Sequence, residues 1–171
     1  LYTLYLGANS KKPGFEGVIY GRNLDKMFQK LTFGYHHAIS FDSLSTPFAC
    51  VATNAVDGSE YDFHSGVLSR AMRASMAIPG AFSPVRIDSM VLVDGGLVNN
   101  YPADVARKMG ADIVIGVVFQ NDKAQAADLS SAAKVLNNIV NIETRKKLFE
   151  NEANSDLVLR VNVGKYSVTS F

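Results

Sequence analysis

Asp94, Gly95 and Gly96 follow directly on Val91-Leu92-Val93, a continuous apolar run. A carboxylate delivered by the end of a buried strand can take a proton from a nucleophile and return it to a leaving group. Two glycines after it allow a tight turn and leave space beside the carboxylate for a reacting group. The tripeptide alone also reads as an ordinary turn, with Asp94 bonding the backbone of its own loop. Its surroundings must decide between the two.

Other polar residues carry weaker signals. His36 and His37 are adjacent, so on a strand they would point to opposite faces. No acidic or cysteine partner stands at ligand spacing, and a structural role is expected. His64, at the end of a strand, is read the same way. Cys50 lies in the apolar run Phe48–Ala52 and reads as a small buried core residue. As the single cysteine it can form no internal disulfide. Arg70 and Arg73 could face phosphate or lipid head groups, but a solvated helix face or an internal ion pair is the expectation.

Several elements must position Asp94. Leu24, Met27, Phe28 and Leu31 share one face of a short helix, with Asn23 as its cap and Gly34 at its end. Pro47–Asn54 and Glu60–His64 read as strands joined at Asp57-Gly58, a hairpin signal. Gly66–Met76 has helical spacing and is broken by Pro79-Gly80. After Asp94, Asn99 or Asn100 caps a short helix with Pro102 in its first turn and Gly110 past its end. Ile113–Phe119 is a second continuous apolar strand, of the kind found in parallel sheets covered on both faces. Asp128 to about Asn154 reads as a long amphipathic helix, with Leu129, Ala133, Leu136, Val140, Leu148 and Phe149 inward. Its mixed charges look like a solvated face rather than a membrane-bound one. Leu157–Val161 is a last strand. Strand, helix, strand, helix, strand from Val91 onward is an α/β pattern, in which ligands bind at the carboxyl ends of strands.

The 171 residues suffice for one domain with a real core. Hydrophobic residues at 47% and charged residues at 19% exclude a disordered segment. A net charge of +1, with scattered Lys and Arg, offers no nucleic-acid stripe. The apolar run Ile113–Phe119 is far short of the roughly 20 residues of a membrane helix.

The segments Ser75–Val85, Asn99–Pro102 and Gly110–Val117, set around Asp94-Gly95-Gly96 in this order and spacing, resemble the patatin-like phospholipase family. The likeness runs from about Pro47 to Val117 and more loosely through the chain. It implies a three-layer α/β sandwich of the patatin type with a mainly parallel central sheet. It also implies a lipid acyl hydrolase with a Ser–Asp dyad and no catalytic histidine. Asp94 matches the D-G-[GA] motif and takes the role of base. Gly95 and Gly96 form the active-site loop, and Asn99 and Asn100 its support. Phe15, Val18, Ile19 and Tyr20 suit either an acyl pocket or ordinary packing. A lipid ester is the implied substrate and a transient membrane or micelle surface the implied partner. No cofactor and no metal are implied.

The sequence departs from the family in one respect: it has no G-x-S-x-G. Ser65 follows Phe63-His64, Ser69 is flanked by Val67 and Ala71, and Ser75 by Arg73 and Ala77 within a helix. The glycine-rich oxyanion loop is missing as well. Residues 1–171, beginning at Leu1, are therefore expected to be a single partial domain. That domain is truncated at its amino-terminal side and inactive alone. Open apolar surface would then favour self-association or an upstream fragment of the same protein held non-covalently. The alternatives are a non-catalytic patatin-like module that binds or regulates lipid, and a nucleotide-binding α/β domain. The latter lacks any P-loop or G-x-G-x-x-G. Location stays open between cytoplasm and cell envelope.

Overall fold

The computed structural model describes residues 21–120 and 132–163. The expectations for Phe15 and Val18–Tyr20 and for the helix start at Asp128 lie outside them, as do Leu129 and the side chains of Ala133, Leu136 and Val140. The chain divides into two compact units, Leu1–Val98 and Asn99–Phe171. Helices and sheets occur in both, and the fold is α/β.

In the first unit, α1 (Arg22–Leu31) precedes β1 (Ile39–Ser40), β2 (Cys50–Asn54), β3 (Glu60–Phe63), β4 (Ser65–Gly66), α2 (Leu68–Ser75), β5 (Val85–Ile87) and β6 (Met90–Asp94). The main sheet has the order β3-β2-β6-β5, and every pairing in it is antiparallel. β1 and β4 form a small separate antiparallel pair. The hairpin between β2 and β3 turns at Asp57-Gly58, where Asp57 Oδ1 accepts from the N–H and the hydroxyl of Ser59.

Leu68, Ala71 and Ala74 recur on one face of α2, and this face is buried. They share one apolar cluster with Phe41, Ala52, Phe63 and Leu92. The two alanines bring the helix close to the sheet, so β2 and β6 are covered tightly.

The structure departs from several local expectations. α1 starts two residues earlier than an Asn23 cap allows, with Gly21 at its N-cap. It ends at Leu31, where Thr32 closes the last turn through its N–H and hydroxyl to the Phe28 carbonyl. Leu31, on the apolar face of α1, is 72% exposed. His36 and His37 stand in an exposed turn rather than on a strand. β6 carries an apolar run that suggested parallel neighbours, yet both of its neighbours are antiparallel. β5 was not visible in the sequence.

In the second unit, α3 (Ala103–Lys108) is followed by β7 (Ile115–Gln120), α4 (Ala132–Ala153) and β8 (Leu157–Asn162). β7 and β8 pair in parallel through the α4 crossover. Tyr101, Ala103 and Val114 form its buried cluster, with Ala106, Ala111, Val118 and Leu148 packed on it. Phe149, expected inward, is exposed. Among the described residues no helix is long and apolar enough to cross a membrane.

Candidate active site

Asp94 is the last residue of β6. β6 is held on one side by β2, where Ala52 faces Asp94 and Thr53 faces Val93. On the other side it pairs with β5 up to Leu92. The main chain of Asp94 is fixed at both polar atoms. Its N–H donates to the Ala77 carbonyl at 3.0 Å, and its carbonyl accepts the buried Thr53 hydroxyl at 2.8 Å.

The chain then turns through a 3-10 turn, Gly95–Leu97. Asp94 Oδ1 accepts the Gly96 N–H at 2.7 Å, so the carboxylate caps its own turn. Gly95 lies against β2. A Cβ there would sit 2.1 Å from the Val51 carbonyl oxygen, which leaves room for glycine alone. The two glycines of the motif therefore do different work. One permits close approach to the neighbouring strand, and the other supplies the N–H that orients the carboxylate.

Burial pushes the Asp94 carboxyl above the ordinary carboxylate range, and the Gly96 N–H opposes this by stabilising the charged form. A half-buried carboxylate with one oriented oxygen and a raised proton affinity is suited to accept a proton from a neighbouring hydroxyl.

Asn99 and Asn100 follow the turn in sequence and fall in the second unit. There Asn99 is buried, donates to Asp104 Oδ1 at 3.0 Å and accepts from Asn151 Nδ2 at 2.9 Å. Neither asparagine caps α3: Pro102 occupies the N-cap, and no side chain bonds there.

Cys50 is packed against the core, and burial pushes its thiol up to about 12 against a hydrogen bond with Ser75. Such a thiol is inert. Arg73 is buried and lies 3.3 Å from Asp25, whereas Arg70 is exposed and donates to the Arg86 carbonyl. Among the described residues no group of three or more His, Cys, Asp or Glu side chains could hold a metal ion.

Sequence reasoning missed Thr53 and the Ala77 carbonyl. Thr53 and Asp94 are 41 positions apart, and only the strand register brings them together.

A sequence profile of the patatin-like phospholipase family matches residues 12–107. The chain is also similar to an uncharacterized NTE family protein of Mycobacterium tuberculosis, 32% identical over 105 residues, covering 60% of this chain and 29% of that protein. It is similar to patatin-like phospholipase domain-containing protein 6 of Homo sapiens, 33% identical over 105 residues, 60% of this chain and 7% of that protein. A third relative is patatin-like phospholipase domain-containing protein 7 of Rattus norvegicus, 38% identical over 78 residues, 44% of this chain and 6% of that protein. The chain thus spans under a third of the length of each of these relatives.

Proposed function

Because this chain belongs to the patatin-like phospholipase family, we propose that it supplies the base of a serine lipid acyl hydrolase, and that Asp94 is that base. The observation that carries the reading is the Asp94 carboxylate itself. It sits at the end of a strand, is pinned through Thr53 and Ala77, is oriented by Gly96 and has a raised proton affinity.

In this reading Asp94 takes the proton from a serine hydroxyl as the hydroxyl attacks the ester carbonyl. It then gives that proton to the departing alcohol. Water, deprotonated by the same carboxylate, releases the acid from the acyl-enzyme. No histidine is needed, and none stands in the Asp94 turn. Gly95 and Gly96 shape the loop, and Asn99 and Asn100 are proposed as its support.

The nucleophile and the oxyanion donors are proposed to come from outside residues 1–171, since the sequence holds no G-x-S-x-G. The two units are proposed to belong to one patatin-type domain, a three-layer sandwich with a mainly parallel central sheet. The substrate class is carboxylic esters of lipids, as the names of the relatives suggest. A self-associated copy or an upstream fragment is proposed to cover the apolar surface of the chain taken alone.

Labelling the longer protein with a fluorophosphonate and locating the adduct by mass spectrometry tests the reading. The adduct is expected on a serine outside these residues. Asp94→Asn should lower ester turnover by about 10²–10⁴-fold with folding intact. Turnover by the 171-residue chain alone that disappears in Asp94→Asn would place the nucleophile inside it and sink this assignment. A longer protein that takes no label would leave the non-catalytic lipid-binding reading in its place.

A further inference from the structure

We propose that the tip formed by α1 and the turn after it docks on an anionic lipid bilayer. Its apolar part is Met27, Leu31, Phe33 and Tyr35, and its basic part is Arg22, Lys26 and Lys30. The proposal rests on the lipid-substrate reading above and names the surface by which such an enzyme would reach its substrate.

The residues of α1 fall on three faces. Leu24 and Phe28 are half-buried and face the body of the first unit. Arg22, Lys26 and Lys30 are spaced four apart and form one exposed stripe. Met27 and Leu31 are exposed between the two. The next turn continues the apolar edge with Phe33, which is 77% exposed, and Tyr35. A monomer in water gains nothing by presenting this many large apolar side chains together.

Charge selects the partner. Asp25 is the only acid in α1, and it lies 3.3 Å from the buried guanidinium of Arg73 on α2. Arg22, Lys26 and Lys30 make no ion pair among the described residues. The outward side of the helix is therefore cationic beside an apolar edge. Aromatic and aliphatic side chains that enter the acyl boundary, with lysines that reach up to head-group phosphates, match an anionic interface.

The tip is also firmly mounted. Arg73 joins α1 to the rest of the unit through Asp25, donates to the Ser83 carbonyl at 3.0 Å and stacks over Phe82. Beyond α1, His36 Nδ1 lies 2.9 Å from the Phe33 carbonyl, which ties down the turn that carries Phe33. The second unit exposes more apolar area on β7 and β8. There Arg160 is engaged by Glu152, and no stripe of basic residues lies along either strand.

The chain contains no tryptophan, so Phe33→Trp introduces a single reporter at an exposed position. With vesicles of phosphatidylcholine and phosphatidylglycerol, its emission is expected to move to shorter wavelength. With phosphatidylcholine alone it should move little. Val117→Trp, on the exposed face of β7, is expected not to respond. Lys26→Gln with Lys30→Gln should weaken vesicle binding by about thirty-fold, and added salt should weaken it further. Co-sedimentation of the unsubstituted chain measures the same affinity without a reporter.

A Phe33→Trp signal that ignores anionic vesicles would overturn the proposal, as would a response at Val117→Trp alone. Asp94→Asn is expected to bind vesicles unchanged, which keeps the two readings apart. A longer protein that hydrolyses no ester yet still docks sinks only the hydrolase assignment. An active one whose position 33 stays in water sinks only the docking surface.

Discussion

β6 and β7 are written in nearly the same chemical language, yet the structure treats them differently. Val91-Leu92-Val93 and Ile115–Phe119 are both apolar runs. In the first unit, β6 lies between β2 and β5, and Leu92 is fully buried beneath α2. In the second unit, β7 has one described partner. Ile115, Val117 and Phe119 line up with Leu157, Leu159 and Val161 in register and leave that face exposed. A run of apolar residues therefore announces a strand without saying what will cover it. The candidate base stands on the strand whose neighbours are in place. A pKa shift and an oriented carboxylate require that enclosure, because desolvation and a fixed backbone come from neighbours.

The sharpest way to break this comparison is to add one methyl group to each region. At Gly95 a Cβ would meet the Val51 main chain at 2.1 Å, and that carbonyl belongs to the central strand β2. The ladder would have to separate. Gly95→Ala is expected to cost about 3 kcal/mol or more in urea unfolding. At Gly116 the obstruction is the Tyr101 ring, whose hydroxyl lies 1.5 Å from the added atom. A side chain can swing aside at the cost of its bond to Ser155, so Gly116→Ala should cost less. Equal losses would mean that the second unit is as tightly framed as the first.

A smaller effect separates the apolar side chains themselves. Leu92→Ala should cost about 2–4 kcal/mol, because it empties space inside a closed cluster. Val117→Ser, on the exposed face, should stay within about 0.5 kcal/mol and raise the concentration at which the chain aggregates. A large loss at Val117, read by thermal unfolding of a dilute sample, would show that the face is covered in solution.

The same contrast explains what the sequence made legible. The Asp94 turn and the Asp57-Gly58 hairpin could be read because each depends on residues a few positions apart. The fastening of Asp94 by Thr53, and of Asn99 by Asn151, depends on strand register and helix placement over 41 and 52 positions. No local pattern encodes those distances. Periodicity placed Leu31 and Phe149 on apolar faces, but facing and covering are separate facts, and both residues are exposed. β5 was missed because three residues beside a proline and an aspartate carry too little pattern to stand out. Asn23 and Asn99 have the chemistry of helix caps, and in each case the helix begins elsewhere.

The last difference is electrostatic, and it sets two aspartates against each other. Burial tends to raise the carboxyl of Asp104, but bonds from Asn99 and Lys147, with Lys108 nearby, bring it down to about 2. A depressed carboxyl contributes stability above its unfolded value of roughly 3.9, and that contribution is lost as pH falls through the folded value. Asp104→Asn should therefore cost about 1–2 kcal/mol at neutral pH, and the cost should fade between about pH 4 and 2. Asp94 has the opposite sign. Its carboxyl is raised by burial, so its contribution is present below the unfolded value and is lost as pH rises through the folded one. Asp94→Asn should be neutral or slightly stabilising at neutral pH, while the proposed turnover of the longer protein should fall by about 10²–10⁴-fold. Denaturant unfolding of both variants at pH 7 and pH 3 measures the pair. If Asp94→Asn loses stability at pH 7 as Asp104→Asn does, Asp94 is a structural anchor of its turn rather than a base held at an energetic cost.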